Sequence, residues 1–316
     1  MKLIVQIPCL NEEETIAKVI NQIPKQIGGI DKIEVLIIDD GSDDRTVEIA
    51  KSLAVDHIIQ NVGNKGLGIS FEKGMQYALD HDADILVNTD GDDQYPGKFI
   101  TQLVKPIINN KADIVIGDRQ TNQVKHFSKL KRLFQWLGTK LIIFLSGEKK
   151  LKDAVSGFRA YSREAMLEIN ITEKFSYTLD STIQASDKRL KLESIPFEIN
   201  PPTRPSRLFS NMWVHIRKSG FGALRTFAFY KPVKVFIGLG TVFFLIGMIP
   251  IIRFLFDYFF TRNGSGKIQS LIIGSTLISV AFNLFALGII GDLLGRNRKL
   301  IEKILIKQKD NRQKES

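Results

Sequence analysis

The sequence predicts an α/β domain built on a mostly parallel sheet, followed by a pair of membrane-crossing helices. Three observations carry this. Short apolar runs alternate with amphipathic stretches along the first two hundred residues. Polar clusters close four of those runs: "PCLNEE", "DDGSDD", "NTDGDDQ" and "GDR". Two long apolar segments, 235–252 and 268–291, contain no charged residue. Alternating strands and helices imply parallel strands joined by crossovers. In open sheets of that kind, ligands gather at the carboxyl ends of the strands.

The elements follow in order. "LIVQI", 3–7, reads as a buried strand that Pro8 ends, and "NEEETIAKVINQI" reads as a helix with Asn11 as its cap. "IEVLIID" is a second strand, ending at Asp39 and Asp40. "SDDRTVEIAKSLA" is a second helix, with Ser42 and Asp43 as expected caps. "HIIQN" is a short third strand, and "GNKGLGISFEKGMQYALD" a glycine-rich turn entering a helix. That turn lacks the G-K-[ST] ending of a Walker A loop. "ADILVNTD" is a strand, "GKFITQLVKPIIN" a helix and "ADIVIGDR" another strand. After about residue 195 the Pro-rich "IPFEINPPTRPSRL" leaves the domain. "FSNMWVHIRKSGFGALRTFAF" then reads as amphipathic helix lying on a membrane surface.

The charge balance agrees with a membrane. Lys and Arg number 44 against 34 Asp and Glu. Between Ile199 and Lys234 stand Arg204, Arg207, Arg217, Lys218, Arg225, Lys231 and Lys234, with no acid. Such a block suits nucleic acid or an anionic bilayer. It borders the two apolar segments, each of the roughly 20 residues needed to cross a bilayer, so nucleic acid is not needed to explain it. "TRNGSGK" between the segments makes them a hairpin, and basic residues at both outer ends place those ends in the cytoplasm. The single cysteine, Cys9, excludes an internal disulfide, and with four histidines a Cys/His zinc site is not expected. The N-terminus has no long apolar run, so no secretory signal is expected, and the α/β part is expected to stay in the cytoplasm.

The chemistry concentrates in "TDGDDQYPGKF". Asp90, Asp92 and Gln94 alternate, so an extended or turning backbone can present their oxygens toward one point. Oxygen donors suit a hard divalent cation, Mg2+ or Mn2+. The plainer alternative is an acidic turn capping the helix that begins near Pro96. Asp39 is placed to accept from a base or ribose, and Lys65 to meet a phosphate charge. His57, His81, His126 and His215 lie outside these clusters and read as structural or surface residues.

Taken together, "IPCLNEEE", "IIDDGSDDRT", "NVGNKGLG", "TDGDDQYPGKF", "GDR" and "VSGFRAYSREA" resemble, in order, the family-2 glycosyltransferases. The likeness is to the dolichyl-phosphate mannosyltransferase branch, which acts on polyprenyl phosphates. "PPTRPSRLF" and the terminal hairpin resemble its membrane-anchored members. The resemblance implies a GT-A (Rossmann-like) catalytic domain over 1–200 and a basic amphipathic juxtamembrane segment over 201–232. A two-helix transmembrane hairpin over 233–292 and a basic cytoplasmic tail over 293–316 follow. It implies inverting transfer of a hexose from a GDP-mannose or UDP-glucose type donor to a polyprenyl phosphate, with self-association as a homo-oligomer.

The resemblance also assigns residues. Pro8, Leu10, Asn11, Glu12, Asp39, Asp40, Lys65, Asp90 and Gly91 fall where the family binds the nucleotide sugar, although Leu10 stands where a Tyr is usual. Asp90, Asp92 and Gln94 match the metal ligands. Arg119 matches an arginine near the phosphates, Arg132 and Arg207 face the acceptor phosphate, and Arg204 the donor phosphate. Gln135 stands where a Ser is common. Catalysis is thereby implied for Asp90, Asp92, Arg119 and Arg132. Arg159 in "SGFR" is either a structural ion pair or a ligand contact. Asp180 falls near the catalytic base of processive relatives, and a positioning or structural role is expected for it. Two other readings stand beside this one. A processive polysaccharide synthase usually carries Q-x-x-R-W, where this chain has "FQWLG". A catalytically silent membrane scaffold has no need of the metal triad.

Overall fold

The computed structural model describes residues 1–120, 136–140, 142–143, 146–148, 151–171, 177–201, 231–261 and 268–315. Arg132, Arg204, Arg207, the juxtamembrane segment over 202–230 and the turn at 262–267 lie outside the described residues, as do His126 and His215. The chain divides into two compact units, one holding the sheet and the other the apolar helices.

Seven strands form one sheet in the order β3-β2-β1-β4-β6-β5-β7. They are β1 Lys2–Cys9, β2 Lys32–Asp39, β3 His57–Gln60, β4 Ile85–Asn88, β5 Ile114–Asp118, β6 Arg159–Ser162 and β7 Leu192–Pro196. All pairings are parallel except those of β6, which runs antiparallel between β4 and β5. The helices are α1 Ile16–Asn21, α2 Thr46–Ser52, α3 Leu67–Asp80, α4 Ile100–Ile108, α5 Arg163–Glu168 and α6 Tyr177–Asp187.

The strands read as continuous apolar runs because both faces are covered. Leu3, Val5, Ile7, Ile37 and Val87 pack with Ile16 and Val19 of α1 and Leu103 and Ile107 of α4. Their neighbours Ile4, Leu36, Ile38 and Leu86 point the other way, onto Phe71 and Met75 of α3 and Met166 of α5. Successive strand side chains alternate between faces, and each such side chain buried whole contributes about 1.5–3 kcal/mol.

Two expected helix starts differ. Asn11 does not cap α1. It sits at φ 55°, and its side chain accepts from Asp43 N at 2.9 Å. The helix begins four residues later, after Thr15. Ser42 and Asp43 do not cap α2, which follows Arg45; Ser42 Oγ instead accepts from Asn11 N at 2.8 Å. In both places the loop side chains bond across to the neighbouring loop, which ties two rim segments together in place of capping a helix.

The second unit holds α7, Pro232–Phe256, and α8, Ile268–Glu315, as far as Leu305. Two spans, Pro232–Phe260 and Ile268–Glu302, are long and apolar enough to cross a membrane. Twenty-five residues at 1.5 Å each make about 37 Å, against a hydrocarbon core of about 30 Å. Most of the large apolar side chains of these spans are exposed, unlike those of a helix in a soluble core. The two helices meet through glycines. A Cβ on Gly240 would lie 2.6 Å from the Phe285 ring, on Gly247 2.9 Å from Leu277, and on Gly291 2.5 Å from Pro232. These contacts run in opposite chain directions, so the helices pair antiparallel by close backbone approach. The expected tail after 292 is a continuation of α8, helical to Glu315.

Candidate active site

The carboxyl ends of β1, β2, β3, β4 and β5 form one rim. Three successive backbone N–H groups after β1 donate to the loop after β2: Asn11 to Ser42 Oγ at 2.8 Å, Glu12 to Thr46 Oγ1 at 2.7 Å and Glu13 to Asp44 Oδ2 at 3.1 Å. Thr15 Oγ1 donates to Gly91 O at 2.7 Å, which joins the first loop to the acidic loop after β4. A Cβ on Gly91 would lie 3.2 Å from both Glu12 Cγ and Cys9 Cβ, so glycine is what allows that approach. Cys9 is buried, and burial pushes its thiol far above the ordinary range, leaving it inert.

Asp39 and Asp40 are adjacent but serve different ends. Asp39 ends β2 and accepts from Ser42 N at 3.1 Å. Asp40 accepts from Asn61 Nδ2, Lys65 N and Gly66 N, each at 2.9 Å. Its carboxylate thus shapes the glycine-rich loop, and the Lys65 side chain is left exposed. Asn61 in turn is bonded by Lys73, so α3 helps hold the same loop.

The three acids of the β4 loop also divide. Asp93, at φ 58°, is buried, pairs with Lys18 and accepts from Gln22 Nε2 at 2.9 Å. It is a strut to α1. Asn200 joins the same strut, donating to Asp93 O at 2.8 Å, and its backbone N–H donates to Gln94 O at 3.1 Å. The chain therefore leaves the domain beside Gln94. Asp90 and Asp92 remain half-buried at the rim with Gln94. Burial, then the neighbouring Asp92 carboxylate, pushes the Asp90 carboxyl up to about 7; Arg119 and a hydrogen bond from Tyr95 pull the other way. The plainer alternative, an acidic cap, is not what forms, because Pro96 precedes the following turn with no side-chain cap bond.

Arg119 follows β5 and is 8% exposed. Its Nε and Nη2 donate to the two oxygens of Asp153 at 2.6 and 2.9 Å, a forked pair. Burial opposes its charge, yet Asp153, with Tyr95 and Asp90 beside it, keeps it firmly protonated. Asp153 was not anticipated; a usable signal was its being the only acid between Glu148 and Glu164.

Because β6 runs antiparallel, it starts at the rim, with Arg159 opposite Asn88. The "SGF" segment before it is thereby delivered to Asp90. A Cβ on Gly157 would lie 3.3 and 3.4 Å from the Asp90 oxygens. Among the described residues Arg159 makes no ion pair. It is fully buried and spends its fork on Ser156 O and Ala154 O, both at 2.7 Å, and on Ser181 Oγ and Thr182 Oγ1. It braces the loop from below. Asp180 is also buried and accepts from Gln184 Nε2 at 3.1 Å. His57 bonds Glu34 and Tyr77, and His81 stacks on Tyr77, as structural residues do.

The rim thus gathers loops tied to one another by backbone N–H bonds, with Asp90, Asp92 and Gln94 half-buried among them and Arg119 held beside them by Asp153. A family model, "Glycosyl transferase family 2", matches residues 4–169. The chain belongs to glycosyl transferase family 2. It is accordingly a glycosyltransferase. It is 32% identical over 186 residues to the dolichyl-phosphate hexose transferase of Haloferax volcanii, covering 59% of this chain and 77% of that one. It is 30% identical over 213 residues to the UDP-N-acetylglucosamine–dolichyl-phosphate N-acetylglucosaminyltransferase of Methanococcus voltae, covering 61% and 83%. Among solved structures it matches glucosyl-3-phosphoglycerate synthase from Mycobacterium tuberculosis, in complex with Mn2+, UDP and phosphoglyceric acid. That match has a TM-score of 0.58 at 21% identity, covering 72% of this chain and 78% of that chain, and it gives the GT-A fold.

Proposed function

We propose that the protein transfers a hexose from a nucleoside-diphosphate sugar to a polyprenyl phosphate at the cytoplasmic face of a membrane, with inversion. The carrying observation is the rim itself: Asp90, Asp92 and Gln94 lie half-buried together, and burial, then the Asp92 carboxylate, pushes the Asp90 carboxyl up to about 7 against the pull of Arg119. Two carboxylates that repel each other, with an amide two residues on, fit a hard divalent cation. Asp90, Asp92 and Gln94 are the residues to hold Mg2+ or Mn2+. Among the described residues no group of three or more His, Cys, Asp or Glu side chains forms a cation site. A set of two carboxylates and an amide leaves positions for diphosphate oxygens. When bound, the cation neutralises charge on the departing nucleoside diphosphate.

The chain's own residues do the rest. Pro8, Leu10, Asn11, Glu12 and Asp39 line the base and ribose end, and Asp40 keeps the Lys65 loop in place beside them. Arg119, fixed by Asp153, adds positive charge where the diphosphate lies. The acceptor phosphate is an anion at neutral pH and needs no general base, only arginines that fork onto its oxygens. That is the role assigned to Arg119, Arg132 and Arg207. The exit of the chain beside Gln94 supports Arg204, four residues after Asn200, as the donor-phosphate arginine. The hairpin holds the enzyme where its lipid is, since extracting a polyprenyl chain costs about 0.8 kcal/mol per buried CH2.

The test uses the full chain in detergent with undecaprenyl phosphate. Labelled GDP-mannose, UDP-glucose and UDP-N-acetylglucosamine are offered separately with Mg2+, Mn2+ or EDTA. Label entering the lipid phase from one donor, only with metal, is expected; transfer undiminished by EDTA overturns the cation assignment.

A further inference from the structure

Between Leu271 and Gly291, α8 carries four polar side chains, Ser275, Thr276, Ser279 and Asn283, and all four are exposed. The opposite face of the helix meets α7. Leu277 and Gly274 O lie against Gly247, Phe285 and Ala281 O against Gly240, and Ile237 against Gly288. At about 100° per residue, the four polar side chains share an arc of about 100° turned away from that seam. Ser275 Oγ and Thr276 Oγ1 donate back to Ile272 O at 3.0 and 2.8 Å, so their protons need no neighbour. Asn283 is not satisfied in this way. Its amide has two N–H groups and an acceptor oxygen. One N–H donates to Ser279 O at 3.0 Å; among the described residues the other N–H and Oδ1 bond to nothing. Asn283 stands eight residues before Gly291. That is about 12 Å along the axis, within a hydrocarbon core of about 30 Å spanned by 268–291. Lipid tails offer an amide no partner, so a polar side chain at that depth belongs against another protein surface.

We propose that this face of α8 packs against the same face of a second copy of the chain, the two Asn283 amides bonded to each other. Copies inserted the same way carry Asn283 at the same depth. An amide is donor and acceptor at once, so it complements itself across a two-fold axis along the membrane normal. A polyprenyl tail is hydrocarbon and gives it nothing. Ser275, Ser279 and Ala286, small and on the same face, let two backbones come close. The α7 segment has no comparable group: Thr241 is the only polar residue of 235–252, and it bonds back to Ile237 O at 2.8 Å. The inference rests on α8 crossing a bilayer and not on the chemistry of the rim.

The experiment places the full chain in phosphatidylcholine vesicles, labelled with donor or acceptor dye through Ser316→Cys; Cys9 is buried and does not compete for the label. Energy transfer is followed as lipid is added. Transfer is expected in the parent, and in Asn283→Leu the protein-to-lipid ratio that gives half of it is expected to rise about tenfold. Asn283→Gln, which keeps the amide, should recover most of that loss. Equal dilution curves for the parent and Asn283→Leu overturn the inference. So does a parent that shows only the transfer of random collisions while resisting carbonate extraction, the result expected if a different membrane protein covers this face. Release of the chain by carbonate overturns the bilayer reading, and the inference with it. A second measurement leaves Asn283 in place. On mild oxidation in the same vesicles, Ser279→Cys is expected to form a disulfide-linked dimer, whereas Leu277→Cys, on the α7 seam, is not. The reverse pattern overturns the inference.

Discussion

Replacing Asp153 by Ala removes the partner that holds Arg119. Three bonds are lost: those from Nε at 2.6 Å, Nη2 at 2.9 Å and the backbone N–H at 3.3 Å. Arg119 and Asp153 are 8% and 2% exposed, so water does not replace what is removed. Taking one partner from a buried pair costs about 3–5 kcal/mol, because the other charge stays buried and uncompensated. For a unit of about 200 residues each kcal/mol moves the melting temperature by about 2–4 °C, so a fall of about 6–20 °C is expected by differential scanning fluorimetry in detergent. The double variant Arg119→Met with Asp153→Ala removes both charges and should regain most of that loss, since apolar replacement of a buried pair is often neutral or better. Both variants should lose transfer. A single variant melting within 2 °C of the parent, or a double variant less stable than the single, would refute the buried-pair reasoning.

Other perturbations follow from the same geometry. Asp92→Ala should abolish transfer with little change in melting temperature, because a half-exposed rim acid adds little to the core; unchanged turnover would sink the metal assignment. Mn2+ affinity should weaken about tenfold per pH unit below about pH 7, where the proton on Asp90 competes with the cation. A titration from pH 5.5 to 8.5 reads this, and a flat profile would contradict it. The sign for stability is opposite. A raised carboxyl stabilises the cation-free fold fully only below its unfolded value near 3.9 and loses that contribution as pH rises through about 7, so Mn2+ should raise the melting temperature more at pH 8 than at pH 6. In the hairpin, Gly240→Val would drive a side chain into Phe285, whose ring lies 2.6 Å from the Cβ position, and should cost about 1–3 kcal/mol, read as a lower melting temperature in detergent. Gly238→Val, with open space around it, is the control.

What the sequence determined by itself is the frame. "LIVQIP", "IEVLIIDD" and "ADIVIGD" could only be strands buried on both faces, because apolar runs of that length ended by proline or acids leave no polar side to expose. Two uncharged segments of bilayer length were legible as helices long and apolar enough to cross a membrane. The acids at the strand ends then had one rim on which to meet.

Tertiary structure decided which of those acids are spent on bonds within the domain. Asp39 and Asp40 look alike in sequence. Three donors reach Asp40 from residues 61–66, and only the pairing of β2 with β3 brings them there. Asp93 is the same residue type as Asp92, but a left-handed backbone turns it toward Lys18 and Asn200, 75 and 107 residues away in the chain. "RAYS" carries too few apolar residues to announce a strand, and nothing local says that it runs antiparallel. Yet that reversal is what sets Gly157 against Asp90 and places Asp153 on Arg119. Periodicity reports whether a residue faces the core or the solvent. Which partner a buried polar group finds across the sheet depends on strand order and direction, fixed by the packing of the whole domain.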